Sequence, residues 1–415
     1  MIRKNIFFSL LALVVCHSVD AMNLLRPYDP LVRPDPYTKK NVGVFVWGEA
    51  GLKHAQGFNC DGRISNVLQI WNERQDALTM LNGFDACSDI GQLRILIDAT
   101  DDCVRGNFRV NGDLELLYGG AAGLQYYFYP GIWAGFYLPF FSQKLSNVFW
   151  QDLTQDVTVA DARVRQFLTS DIFTLVNQLG DGLDLLGWTR TGLGDATFLL
   201  EWFKVYPQSR PVLSEIALDG RFGFSVPTGL RADEDKIFAL PFGYDGAFAV
   251  IAGGGLRATW GNMLRAGFDI ELQHAFGSTR CRRIKTCSDQ TELLLLAKTS
   301  AYKDFGLNQR YDLYAQFFNF LGGLSLMAGY QYYKHGEDHL SLSNYDYSNT
   351  IANSAVSLEE WTRHEMVFNM RYDFNYHLGD CALVIPHCSA FVRLPFNGKR
   401  VALFTTAGFE IGMYF

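Results

Sequence analysis

The last fifteen residues, Val401 to Phe415, constrain the fold more than any other part of the chain. Phe415, Met413, Ile411, Phe409, Ala407 and Leu403 fall on one face of an extended strand, and Tyr414, Gly412, Glu410, Gly408 and Thr406 fall on the other. Side chains alternate across a strand with period two, so this pattern reads as an apolar-out, polar-in strand, the form in which a β-structure crosses a bilayer.

The ending resembles the terminal strand of Gram-negative outer-membrane β-barrels. That resemblance implies that Phe409, Ile411, Met413 and Phe415 form an assembly signal read by the barrel-assembly machinery. The N-terminus agrees with export. Arg3 and Lys4 precede an apolar run from Ile6 to Cys16, and Val19-Asp20-Ala21 forms a small-residue cleavage site, so 1–21 reads as a signal peptide. The run is too short for a spanning helix. Cleavage removes Arg3, Lys4 and Asp20 and makes the net charge of −7 one unit more negative. An acidic chain of this kind is not expected to bind nucleic acid. A mean hydropathy of zero beside 48% hydrophobic residues fits a barrel, in which only alternate residues meet lipid.

After a Pro-rich stretch, Arg26 to Lys39, read as an extended periplasmic leader (22–40), period-two alternation recurs throughout 41–415. Phe108, Val110, Leu114, Leu116, Leu124, Tyr126 and Phe128 share one parity, opposite Arg109, Asp113 and Glu115. Counting such segments gives an all-β, transmembrane antiparallel barrel of about twelve strands, with fourteen as the alternative. The strands fall near 41–52, 107–129, 132–143, 193–206, 212–226, 246–258, 263–276, 308–320, 324–334, 364–378, 389–396 and 400–415. Short turns such as Pro130-Gly131 alternate with long extracellular loops. Two of these, Lys53 to Gly106 and Leu145 to Gly192, carry helix-like periodicity at Ser65 to Leu81 and Ala162 to Leu186.

The inward parity positions supply the candidate lumen lining: Arg109, Asp113, Glu115, Asp195, Glu201, Asp219, Arg221, Arg265, Asp269, Glu271, Arg310, Asp312, Arg371 and Asp373. Such a set either forms a polar conduit that favours cations or pairs off into a filled interior. Arg280, Arg282, Arg283 and Lys285 crowd one loop, where they either hold lipopolysaccharide phosphates or stay solvated. Cys281 with Cys287, and Cys381 with Cys388, are spaced for local disulfides in an oxidising compartment, whereas Cys60, Cys87 and Cys103 cannot all pair among themselves.

Enzymatic signatures and cofactor motifs are lacking. His335-Gly336-Glu337-Asp338-His339 is not a zinc helix, no Gly-x-Ser-x-Gly occurs, and Gly253-Gly254-Gly255 lacks phosphate-loop spacing. The expectation is no enzyme, no metal and no cofactor. Gly192-Leu193-Gly194-Asp195 and Ser225-Val226-Pro227-Thr228-Gly229 resemble segments of the outer-membrane proteins grouped with aromatic-degradation pathways and, more distantly, FadL-type channels. That likeness implies a channel, although the N-terminal hatch associated with FadL-type channels is not apparent in this sequence. The function expected is passage of small solutes, with a loop as gate; the alternative is a structural or surface-interaction barrel with a filled lumen. Partners expected are outer-membrane lipid, lipopolysaccharide, the assembly machinery and small solutes.

Overall fold

A computed structural model describes residues 28–33, 40–210, 212–261, 263–318, 321–378 and 382–415. Twelve strands pair antiparallel with their sequence neighbours: β1 Val42–Gly51, β2 Asn107–Tyr129, β3 Ile132–Asp152, β4 Ala196–Pro207, β5 Leu213–Val226, β6 Ala249–Trp260, β7 Leu264–Ala275, β8 Leu307–Phe317, β9 Leu324–His335, β10 Trp361–Asp373, β11 Ile385–Lys399 and β12 Thr406–Tyr414. β1 bonds to β12 on one side and to β2 on the other, which closes the ring and leaves no sheet edge in the wall. The first and last strands meet in register, Val44 opposite Met413 and Val46 opposite Ile411.

Burial alternates as a lipid-facing wall requires. Leu200, Phe222, Leu256, Phe268, Leu313, Phe368 and Met370 stand exposed on the outside, together with Phe409, Ile411, Met413 and Phe415. The wall therefore presents an apolar belt, and the final strand faces outward as its alternation requires. Leu403 is an exception: Phe404 and Thr405 interrupt the strand, and Val401–Leu403 pairs instead with Gln56–Phe58.

Two expectations fail outside the lipid-facing wall. The uniform parity across 107–128 breaks because β2 shifts register between Leu116 and Tyr118, where one extra residue exchanges the two faces. Below the bulge Leu124, Tyr126 and Phe128 point outward, but above it Phe108, Val110, Leu114 and Leu116 are buried inside. Similarly, Ser65 to Leu81 contains only the short 3-10 turns Val67–Gln69 and Thr79–Leu81, while the helix lies later, at Asp89–Ile97. Its apolar residues satisfy a core without needing a helical face. The helical reading of the other connection holds better, with helical turns running from Val159 to Leu179.

At the end of the barrel away from the termini, the connections fold together into a cap. Leu68, Leu78 and Met80 from 52–106, Leu168 and Val176 from 153–187, Ile237 and Phe242 from 227–248, and Leu294 and Leu296 from 276–306 share one buried apolar cluster with the upper inner faces of β2 and β3. Burying a side chain of this size contributes about 1.5–3 kcal/mol, so the cap is a hydrophobic core in its own right.

Candidate functional site

The lumen below the cap is occupied by the chain's own residues 28–33. This corrects the leader assignment for the described part of 22–40: these residues do not trail outside the barrel. They are held by side chains of the wall. Arg33 lies 2.6 Å from the Glu201 carboxylate, and Asp29 lies 2.5 Å from Nη1 of Arg393. Gln331 also donates to Asp29 at 3.0 Å, and Asn369 donates to the Leu31 carbonyl at 3.1 Å. Arg371 donates to the Val32 carbonyl, and the Tyr28 hydroxyl donates to Glu271. Space for Leu31 comes from Gly329, where an added Cβ would lie 2.5 Å from Leu31 Cδ1. Pro30 suits this role because its fixed φ limits the entropy lost on docking.

The wall behind the segment carries a continuous charge network. Arg221 on β5 reaches across β6 to Glu271 on β7 at 2.7 Å and also pairs with Asp269. Arg310 on β8 lies 3.0 Å from Glu271 and 3.2 Å from Asp312, and Asp219 stands 3.6 Å from Arg221. The register explains the assembly, since Glu271 pairs with Arg310 and Asp269 with Asp312. Gly253-Gly254-Gly255 now has a physical role. Gly253 and Gly255 face the lumen on β6, where a Cβ on Gly253 would sit 3.0 Å from Arg221 Nε and one on Gly255 2.8 Å from Asp219 Oδ1. Glycine clears the path for the arginine across one whole strand.

Glu201, Asp219, Arg221, Asp269, Glu271, Arg310 and Asp312 come together on the inner side of the wall. Arg371 belongs to a second group, 3.7 Å from the fully buried Glu410, which also takes His387 at 2.8 Å. Arg265 lies nearer the terminal end, over the Phe318 ring and 3.9 Å from Glu215. The remaining assignments need correction. Arg109, Asp113 and Glu115 lie above the bulge on the outer face of β2, where Asp113 accepts from Asn147 at 2.8 Å and Glu115 meets His54 at 3.1 Å. Asp373 caps the turn after β10 by accepting from the Asn375 N–H at 2.9 Å.

Asp195 is a structural clip. It accepts from the backbone N–H of Gly229 at 2.7 Å and of Tyr244 at 2.5 Å. Thr228 Oγ1 meanwhile donates to Gly194 O and accepts from Ala196 N, each at 2.9 Å. The two short motifs noted in the sequence therefore bind one another, where the strand Trp188–Leu193 kinks into β4. Sequence reasoning missed Asp29, Arg33, Gln331, Asn369 and Arg393 as a set, because their partners lie more than a hundred residues away. The signal available was a Pro-rich leader carrying both charges.

The basic loop is internally neutralised. Arg280 pairs with Glu234 and Asp245, Arg282 with Asp245 at 2.6 Å, Arg283 with Asp235 at 2.8 Å, and Lys285 lies 3.7 Å from Glu292. Cys281 and Cys287 are both free thiols. Cys281 lies within the extended strand Ser278–Arg283, and Cys287 lies beyond its end. Cys381 of the proposed Cys381–Cys388 pair lies outside the described residues, as does the signal segment 1–21. A cavity of about 30 Å³, enough for about one water, is lined by Trp47, Glu49, Arg363 and Arg393 among others.

No protein family model matches this sequence, and neither does any curated protein. Among solved structures, an outer-membrane channel of Pseudomonas putida F1 is similar over 92% of this chain and 100% of its own, with 12% identity and a TM-score of 0.50. A FadL homologue of Pseudomonas aeruginosa covers 96% of this chain and 98% of its own, at 9% identity and a TM-score of 0.30. The toluene transporter TbuX of Ralstonia pickettii covers 90% and 89%, at 8% identity and a TM-score of 0.30. Only the first likeness is near enough to support a statement about fold. Closed ring, apolar belt and that likeness agree: the chain has the fold of a twelve-stranded Gram-negative outer-membrane β-barrel, with residues 28–33 packed inside it.

Proposed function

We propose that this protein is an outer-membrane channel for small polar solutes, held closed by its own segment 28–33. The observation that carries this reading is the way the segment is bound. It joins no wall strand and is fixed by separate ion pairs and hydrogen bonds, Asp29 to Arg393 and Arg33 to Glu201 among them. Contacts of this kind can be exchanged for a solute or for water, whereas a strand in the ring cannot leave without opening an edge. In this reading both termini face the periplasm, the cap faces outward, and passage follows displacement of the segment. The expected gate accordingly moves from the loop 53–106 to the leader.

The fit to a channel of Pseudomonas putida F1 supports the same reading, as do the carboxylates that line the wall. Once the segment leaves, Glu201 loses Arg33, and the lumen should favour cations. Lipid contacts the apolar belt; the assembly machinery is proposed to read the final strand, and 1–21 to direct export. Lipopolysaccharide is proposed to meet the cap's rim, without a phosphate site in the paired basic loop.

Liposome swelling tests the proposal. The full-length R33A/D29N variant should admit a small neutral sugar several times faster than wild type. Equal rates from well-folded proteins would favour the second reading, a structural barrel, which the docking of residues 28–33 inside the wall supports.

A further inference from the structure

The seat that Tyr28 and Asp29 occupy has the chemistry of a ligand site. The Tyr28 ring packs on Tyr137 with centroids 5.1 Å apart, and the Arg310 guanidinium lies 5.6 Å from its centre. Its hydroxyl donates to Glu271, which is itself held by Arg221 and Arg310. One residue on, a carboxylate meets Arg393 and the amide of Gln331. Aromatic stacking, cation–π contact, a hydroxyl acceptor and a carboxylate fork thus converge on two adjacent side chains, all in the lumen and all buried.

Sealing a pore needs only bulk and apolar contact, which Leu31 and Val32 supply. The polar complementarity around Tyr28 and Asp29 exceeds that requirement. We propose that this seat binds a small aromatic solute carrying both a hydroxyl and a carboxylate, and that Tyr28-Asp29 is its built-in competitor. The solute's hydroxyl would donate to Glu271 and its carboxylate would take the place of Asp29 at Arg393, so that solute binding and docking of the segment exclude one another. This rests on the proposed release of 28–33 and adds the class of compound that the lumen prefers.

Calorimetry on the detergent-solubilised full-length protein tests it, with 3-(4-hydroxyphenyl)propionate as probe and 3-phenylpropionate as the analogue lacking the hydroxyl. Y28A/D29A should bind the probe at least tenfold more tightly than wild type and at least tenfold more tightly than the analogue, and adding E271Q should abolish the gain. Y28A alone, which keeps the Asp29–Arg393 pair, serves if the double variant fails to show the gel shift of a folded barrel; it should still gain several-fold and lose that gain with E271Q. Folded variants that bind the probe no better than wild type, or that bind probe and analogue equally, would overturn the assignment. Solute passage without probe binding would remove the seat and leave the channel, whereas probe binding without solute passage would remove the channel and leave the seat.

Discussion

Two regions fill the interior of this barrel, and they differ in how far charges take part. The cap is an apolar cluster drawn from several connections, with Leu78, Met80 and Leu294 almost completely buried. The segment 28–33 is held both ways: Tyr28, Leu31 and Val32 pack with Phe45, Tyr137, Val367 and Phe391 of the wall, and Asp29, Arg33 and the Leu31 carbonyl are held by charges and hydrogen bonds. Apolar burial is non-directional and has no substitute in water, so the cap is built to stay. Paired charges can be replaced by other charges, which is what the proposed release of the segment requires. In the proposed channel, this contrast puts the gate at the leader and gives the loops the task of structure.

The largest effect is expected from breaking one side of a buried pair. R393Q leaves Asp29 and Glu49 facing each other without their shared cation, a loss of about 3–5 kcal/mol, and should free the segment. Proteolysis within 28–33 should then become fast while the wall stays resistant. Next, Leu78→Ala in the cap should cost about 2–5 kcal/mol locally and speed hydrogen exchange through 76–97, with no change in solute passage. A change in passage as large as that of the R33A/D29N variant would erase the distinction between the regions. A smaller effect is expected at the clip. D195A strands the Gly229 and Tyr244 N–H groups at about 1–3 kcal/mol each and should open 227–248 to protease.

The smallest effect concerns pH. Burial pushes the Asp338 carboxyl in the cap up to about 6, against the pull of Lys303 and Arg282 and with Asp245 adding to the rise. A carboxylate that holds its proton more tightly when folded gives stability that falls as pH rises from its ordinary value near 3.8 through about 6. Exchange protection of 336–343, corrected for intrinsic rates, should therefore be greater at pH 5 than at pH 7. Solute passage should not follow the same curve.

The wall was legible because a bilayer imposes period two, and the last strand states that period most cleanly. Legibility ended where the bilayer ended. Above the bulge at Leu116–Tyr118 the strand β2 faces the cap with the parity that lower down faces lipid, so Arg109, Asp113 and Glu115 were placed inside although they lie outside. The charge network was readable strand by strand, and Gly253-Gly254-Gly255 marked where an arginine must cross, although its meaning emerged only with Arg221 in place. The segment 28–33 left almost no trace, since Pro-rich charged sequence suits a free leader as well as a docked one. Only the distant partners Glu201, Glu271 and Arg393 distinguish the two.

Single-channel conductance in planar bilayers tests the central claim most directly, with full-length wild type and the full-length R33A/D29N variant compared under identical salt. The account predicts small or intermittent current from wild type, steady current at least several-fold larger from the variant, and a preference for cations in the variant. Equal and negligible current from both, in protein that shows the gel shift of a folded barrel, would contradict it.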